Sequence, residues 1–351
     1  MRRRGKRIME KEKIKLFIKR NIVPIIFVVM CVSMILISNV GLNFLANELY
    51  RRIVRNTIMI IALLIPIMAG MGINFSVVIG ALCTHFAAII IVDRQIEGAI
   101  GIVAVFVLSQ ILAFVCGNII GYILNRAKGR EMITSLVIGL LGTSIYTLIF
   151  LAGYGTIIKP HNPNIMLSTG IGIQTMIDLM PLKQVIVEHP YIPILFIVVA
   201  TVITKYLMET QFGAKLKVIG DNMNNAYALG IDVDKMRRYA IVVSTMLASA
   251  GQIMFVLNIG SINVYTGHLN VDVFACASIL AGGATLNKAS LKNVFLGVVL
   301  FHTMFIVSPM AGKVLFSNVA IGEYFRSFVA YSTIVISLIM NIHNEKEGVS
   351  D

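Results

Sequence analysis

Apolar residues run through this chain in blocks of about twenty, separated by short polar or basic stretches rather than alternating with them. A block of that length spans the hydrocarbon of a bilayer as a helix. Lipid offers no partner to backbone N–H and C=O groups, so such blocks have to be helices rather than loops or open strands. Ten are read, at about 21–43, 57–75, 77–92, 98–124, 132–153, 191–208, 239–259, 270–286, 293–310 and 324–341. The period-two pattern of a membrane barrel strand is absent. The fold class is therefore all-α and polytopic, with about ten transmembrane helices. A membrane domain over 21–341 lies between an N-terminal tail (1–20) and a short C-terminal tail (342–351).

Two stretches depart from the regular pattern. From Thr57 to Val92 the chain carries no charge, too long for one span and barely enough for two. The turn is placed at "AGMGINFS" (Ala69–Ser76), where two glycines and an asparagine open the helix. Backbone that leaves the helix at that depth has to be covered by protein or by a water-filled cavity. The second departure is 153–189, where prolines and "KPHNPN" mark an external loop lying across the membrane surface.

Composition agrees: 57% of the 351 residues are hydrophobic and 13% charged, about half the charge of a soluble domain, and the mean hydropathy is +0.86. The net charge of +13 does not signal a nucleic-acid partner, because it is concentrated in the opening "MRRRGKRIMEKEKIKLFIKR". A basic tail ahead of a first span holds the N-terminus in the cytoplasm, with anionic lipid headgroups as its contact. With ten spans starting inside, the outer side receives only Arg51, Arg52, Arg55, Arg94, Lys159, Lys183, Lys313 and Arg326 of the 30 lysines and arginines, the bias expected of an inner face. Arg51–Arg55 fits this least well and is assigned to an interfacial helix on the outer face. Cys31, Cys83, Cys116 and Cys276 all fall in apolar segments without metal-ligand spacing and read as structural thiols.

Between the sixth and seventh spans lies the one long polar segment on the inner side, 209–238, containing "GDNMNNAYALGIDVDKMRRY". Asp221 or Asn222 can cap a helix, Ala226–Leu229 supplies one to two turns, and Gly230 can end it. So short a helix is unstable alone. It is either an inert surface loop or a docking element that presents Ala226, Tyr227 and Leu229 to a partner. A phosphate-cradling loop needs Gly-Lys-Ser/Thr, and the Gly312–Lys313 pair is followed by valine; any nucleotide that powers this protein binds another chain. Polar groups inside the spans are the candidates for a translocation path. Asn74 and Ser76 either line it or only shape the turn. His85 and His302 either line it or make contacts within the helix core. Asn118 belongs to "GNIIG", a small-xxx-small spacing that favours helix packing. Asp272 has to lie near an interface or be paired, since a carboxylate deep in the bilayer costs roughly 2.5–3.5 kcal/mol; it is either a helix cap or a path residue.

The segment "TQFGAKLKVIGDNMNNAYALGIDVDKMRRYAIVVSTMLASAGQI" (Thr210–Ile253) resembles the cytoplasmic coupling region of bacterial ABC importer permeases of the ribose type, within the branched-chain amino acid permease superfamily. Gly213, Gly220, Asn222, Ala226, Gly230, Ile231, Val233, Ser244, Ala248 and Gly251 stand where that family has them, while Asn225 replaces the first of its paired alanines. "AGMGINFSV", "GNIIGYILNRAKGREMITSLVIGLLGTSIY" and "DVFACASILAGGATL" follow the same order, so the resemblance covers most of 40–341. It implies a type II-like importer permease fold and an ATPase-coupling set of Asp221, Asn222, Ala226, Tyr227, Leu229, Gly230 and Ile231. It further implies a second permease subunit (homo- or heterodimer), two cytoplasmic ABC ATPase subunits that bind the ATP, and an external solute-binding protein. Catalytic residues, cofactors and metals are not expected on this chain, whose place is the bacterial cytoplasmic membrane with both termini in the cytoplasm. The implied cargo is a small polar solute, a simple sugar first and a nucleoside or amino acid after it. The family's aspartate is Asn74 here, its next glycine is Val78, and "NKASLKN" replaces a second glycine pair, so the path lining departs from the family. The alternative is an ion-coupled secondary transporter, a class that needs ionisable groups deep in the membrane.

Overall fold

The computed structural model describes residues 21–179, 182 and 191–346; the basic tail at 1–20, Lys183 and residues 347–351 lie outside them. Among the described residues there are twelve α-helices: α1 (Ile22–Ser38), α2 (Leu42–Met68), α3 (Val77–Asp93), α4 (Gly98–Arg126), α5 (Glu131–Leu148), α6 (Ile192–Glu209), α7 (Gln211–Asp221), α8 (Met223–Ala228), α9 (Val233–Ile259), α10 (Val271–Ala281), α11 (Leu291–Phe316) and α12 (Val319–Lys346). Each of the ten apolar blocks has its helix. Five of these helices (α4, α5 with its π-helical continuation to Gly153, α6, α9 and α11) are long and apolar enough to cross a membrane, and α1, α3 and α10 are shorter apolar helices. The protein is an all-α, polytopic membrane protein.

The chain divides into two compact units. The first comprises residues up to Tyr50, Ala277–Thr285 and the chain from Lys292 onward. Its helices touch through small residues. A Cβ on Gly297 would strike the Ser278 carbonyl, and one on Gly312 would come within 2.6 Å of the Gly322 amide. Ser308 Oγ donates to Gly322 O at 2.7 Å. The Arg326 guanidinium lies 3.7 Å from the Phe305 ring centroid, and His302 is wedged edge-on between Phe301 and Phe305.

The second unit, Arg51–Cys276 with Leu286–Leu291, is arranged around α9. Of the apolar window of α9, 72% is buried, against 17–22% for α4, α5 and α6. The difference separates a central helix from peripheral ones, whose exposed rows (Ile100, Val103, Val107 and Ile111 on α4; Leu195, Val198, Val202 and Ile203 on α6) are lipid-facing apolar surface. Helix α9 approaches its neighbours closely because the contacts are made by small residues. A Cβ on Gly251 would lie 2.8 Å from the Met59 amide of α2, one on Gly80 of α3 2.5 Å from Thr245 O, and one on Gly117 of α4 2.9 Å from Val242 Cα. Ser244 Oγ donates to Ala62 O at 2.7 Å, and Thr84 Oγ1 to Ser249 O at 2.8 Å.

Two features differ from the sequence expectation. Arg51–Arg55 does not sit on a separate interfacial helix; it lies within the continuous α2, where Arg55 Nε donates to Asn258 Oδ1 at 2.6 Å. That hydrogen bond supplies the polar partner that the apolar pattern could not. The segment after α5, read from the sequence as a loop, contains a strand, β1 (Met176–Asp178), paired antiparallel with β2 (Ser261–Asn263) just beyond α9, with Ile177 opposite Ile262.

Candidate functional site

The polar segment 209–238 folds into α7, α8 and the first turns of α9. Asn222 separates the first two: its backbone is extended (φ −162°, ψ 113°), and its side-chain oxygen accepts from the Asn224 and Asn225 amides at 2.8 and 3.1 Å. This is the cap that its residue type offers. Gly230 adopts φ +72°, a left-handed conformation natural to glycine after a helix, and the Ile231 amide closes on Ala226 O at 3.0 Å. Asp232 then caps α9 through the Lys235 amide at 3.0 Å. Ala226 is fully buried with Ile219 and Val233, flanked by Met223, Ile231 and Met236. That small core holds the turn together and turns Tyr227 (48% exposed) and Leu229 (70% exposed) outward. Asp221 is exposed at the end of α7.

Three contacts fasten this element to the membrane helices. The backbone of α7 lies directly on the break after α2. Gly70 and Gly72, both left-handed at φ +67° and +66°, carry the chain away from the helix; a Cβ on Gly70 would stand 3.0 Å from Gly220 Cα, and one on Gly220 would strike the Met68 carbonyl. On another side, Lys128 in the α4–α5 turn donates to Tyr227 Oη at 2.8 Å and pairs with Asp234. These partners, Asp234 first, hold the Lys128 ammonium above the usual lysine range. Thirdly, Arg237, with no exposed surface, pairs with the buried Glu131 at the start of α5 and donates to Met223 Sδ at 3.2 Å. A buried guanidinium is tolerated only with such a partner.

From Met71 to Ser76 the break is buried. Asn74 Oδ1 accepts from the Ser76 amide at 3.1 Å and the Ser76 hydroxyl at 2.5 Å, while the Phe75 amide donates to Ser135 Oγ of α5 at 3.1 Å. Asn74 is 2% exposed and Ser76 not at all; the Asn74 amide nitrogen has no hydrogen-bond partner. The break that packs on α7 thus continues directly into these two side chains.

The other candidates lie elsewhere. Asp272 sits in the first turn of α10, half-buried, and accepts from the Val273 amide at 2.9 Å. Asn118 donates along its own helix to Phe114 O at 2.8 Å, while Gly117 and Gly121 on either side of it make the contact with α9. His85 is fully buried midway along α3, with Nε2 2.9 Å from Gln252 Nε2 of α9 and its ring facing those of His268 and Tyr146. Sequence reasoning singled out His85 and passed over Gln252, Tyr146 and His268. A glutamine in the middle of the seventh apolar block was the available signal, since polar side chains are rare there.

Comparison with known proteins adds the family. The chain is 33% identical over 93 residues to the autoinducer 2 import system permease protein LsrC of Klebsiella pneumoniae subsp. pneumoniae, a stretch of 26% of this chain and 27% of that protein. It is 32% identical over 93 residues, again 26% and 27%, to the protein of the same name from Enterobacter sp. strain 638. With that from Yersinia pestis strain Pestoides F it shares 32% over 80 residues, 23% of this chain and 22% of that one. The chain therefore spans about a quarter of the length of the curated relatives it matches. No solved structure matches it. The family described as branched-chain amino acid transport system / permease component matches residues 53–342, nearly the whole described membrane region, and this chain belongs to that family of permeases.

Proposed function

We propose that this chain is the membrane permease subunit of an ATP-driven importer and that α7–α8 is the element through which a cytoplasmic ATPase moves it. The observation that carries the proposal is the contact of Gly220 with Gly70. Force applied to α7–α8 reaches the break at 69–76 through the touching backbones of Gly220 and Gly70, without a flexible side chain between. The three anchors tie α7–α8 to the break after α2, to the α4–α5 turn, to α5 and to α9, so a rigid displacement of the docking element tilts these helices as a group. This is the kind of movement that alternates access to a site within the bilayer.

In this reading the basic segments 126–130 and 205–238 face the cytoplasm; their contact through Lys128, Tyr227 and Asp234 puts them at one end of the helices. The complex comprises a second permease subunit, two ATPase subunits that hold the ATP, and an external solute-binding protein. The relatives' names as autoinducer 2 import permeases favour an importer of a small polar solute of sugar type. Leu229, exposed and apolar on the docking face, is where the reading is tested. The tagged chain purified from its native membranes carries ATP hydrolysis with it, and Leu229→Asp loses about tenfold or more of that activity while inserting normally. Unchanged ATPase co-purification would overturn the coupling assignment.

A further inference from the structure

Within the second unit, four elements bring polar side chains next to one another. His85 comes from α3, Tyr146 from α5, Gln252 from α9, and His268 from the loop between β2 and α10. Ring centroids are 5.7 Å apart for His85 and His268, 5.2 Å for Tyr146 and His268, and 6.2 Å for His85 and Tyr146. His85, Gln252 and His268 have no exposed surface and Tyr146 has 4%. Yet His85 Nδ1, Tyr146 Oη, Gln252 Oε1 and both ring nitrogens of His268 lack hydrogen-bond partners. A buried polar atom left unsatisfied costs about 1–3 kcal/mol, so native interiors pair nearly all of them. Five such atoms on four neighbouring side chains leave hydrogen-bonding capacity that a bound molecule can meet.

We propose that His85, Tyr146, Gln252 and His268 bind the transported solute and that this solute is uncharged and hydroxyl-rich. The proposal rests on the permease reading for the word transported; the site itself rests on the unpartnered atoms. Three features define the ligand. The four side chains together supply both donors and acceptors, as hydroxyl groups require. None of them is Asp, Glu, Lys or Arg, so the ammonium and carboxylate of an amino acid would enter without ionic partners, a heavy cost away from water. Aromatic rings adjoin the polar groups: Phe150 lies 4.7 Å from Tyr146, and Phe86 and Tyr154 lie 5.3 and 5.4 Å from Phe150. A mostly apolar wall with a few placed polar groups is the usual build of a small-molecule site.

Position agrees with this assignment. His85 is at the centre of the 17-residue apolar α3, about 12 Å from either end, and transporters hold their solutes within the bilayer, away from the helix ends. From the β2 side the cluster is closed by the loop carrying His268, whose Gly267 packs so tightly that a Cβ there would lie 3.2 Å from His85 Cε1. Tyr265 anchors the same loop by donating to Ile173 O at 2.8 Å. The loop follows directly from β2, and through β1 it is tied to the segment after α5.

The test is equilibrium binding of radiolabelled D-ribose, D-xylose, D-galactose, myo-inositol and L-leucine to the full chain in lipid nanodiscs. At least one of the four uncharged polyhydroxylated compounds is expected to bind, and L-leucine is not. Tyr146→Phe and Gln252→Leu remove polar atoms without removing bulk, and each should lower bound sugar by tenfold or more. The ATPase subunits should still co-purify with both variants, which separates failure of this site from failure of the permease reading. Absence of bound sugar, sugar binding that both variants leave intact, or L-leucine binding that they abolish would each overturn the proposal.

Discussion

The segment 209–238 and the buried cluster around His85 treat their polar groups in opposite ways. In the first, Asn222, Asp232, Lys128, Asp234, Arg237 and Glu131 all have partners within the protein, and glycine backbones touch where the segment meets the α2–α3 break. In the second, five polar atoms at a more deeply buried place have none. Arg237 Nε and Arg238 Nε are the exceptions in the segment 209–238, but an element whose side chains are paired and whose backbone is packed keeps its shape under load and transmits displacement. A cluster with unmet hydrogen-bonding capacity is shaped to take a partner from outside and to release it. One chain thus holds a stiff region and a receptive one, about half the length of α3 apart.

The comparison breaks most visibly at Glu131. Its removal in Glu131→Ala leaves the fully buried Arg237 without its carboxylate, and losing one member of such a pair costs about 3–5 kcal/mol. The thermal midpoint of the detergent-solubilised chain should drop steeply, and an unchanged midpoint would mean that the pair is not part of the fold. Next comes Gly220→Ala, whose methyl group would collide with the Met68 carbonyl. Overpacking of this kind costs roughly 1–3 kcal/mol, and coupled ATPase activity should fall with it because the transmitting contact is displaced. The smallest effect on stability belongs to Tyr146→Phe, at under about 1 kcal/mol in either direction, since the hydroxyl it removes has no partner to lose. Large functional loss with little structural loss in the cluster, set against parallel losses at Glu131 and Gly220, is the pattern that sharpens the distinction.

How much of this was legible in the sequence depended on whether the relevant pattern was local. The apolar blocks placed ten of the helices, five of them long and apolar enough to cross a membrane, because length and hydropathy are properties of consecutive residues. Asn222 and Gly230 announced the ends of α8 through their own conformational preferences. The glycines at 70 and 72 marked the helix break, and Gly117 with Gly121 the close contact of α4 with α9. Helix α7 was read only as part of a loop, since Gly213 and Gly220 lower its helix propensity; both are needed for backbone contacts, Gly220 with the break after α2. Arg237 looked like one more residue of a basic patch, and only the fold brings it to Glu131, 106 positions away. The same holds for the cluster. Tyr146, Gln252 and His268 are each a single polar residue on its own element, and no spacing rule connects them. Strands of three residues such as β1 and β2 are too short to leave a periodic trace.

The central claim is that α8 presents its exposed face to the cytoplasm, where an ATPase can grip it. Leu229→Cys tests this directly with a membrane-impermeant maleimide applied to sealed vesicles of both orientations; Cys31, Cys83 and Cys276 are buried and Cys116 half-buried, so background labelling is low. The account predicts rapid modification in inside-out vesicles, protection by the bound ATPase, and no reaction in right-side-out vesicles. Modification from the outer face would contradict it.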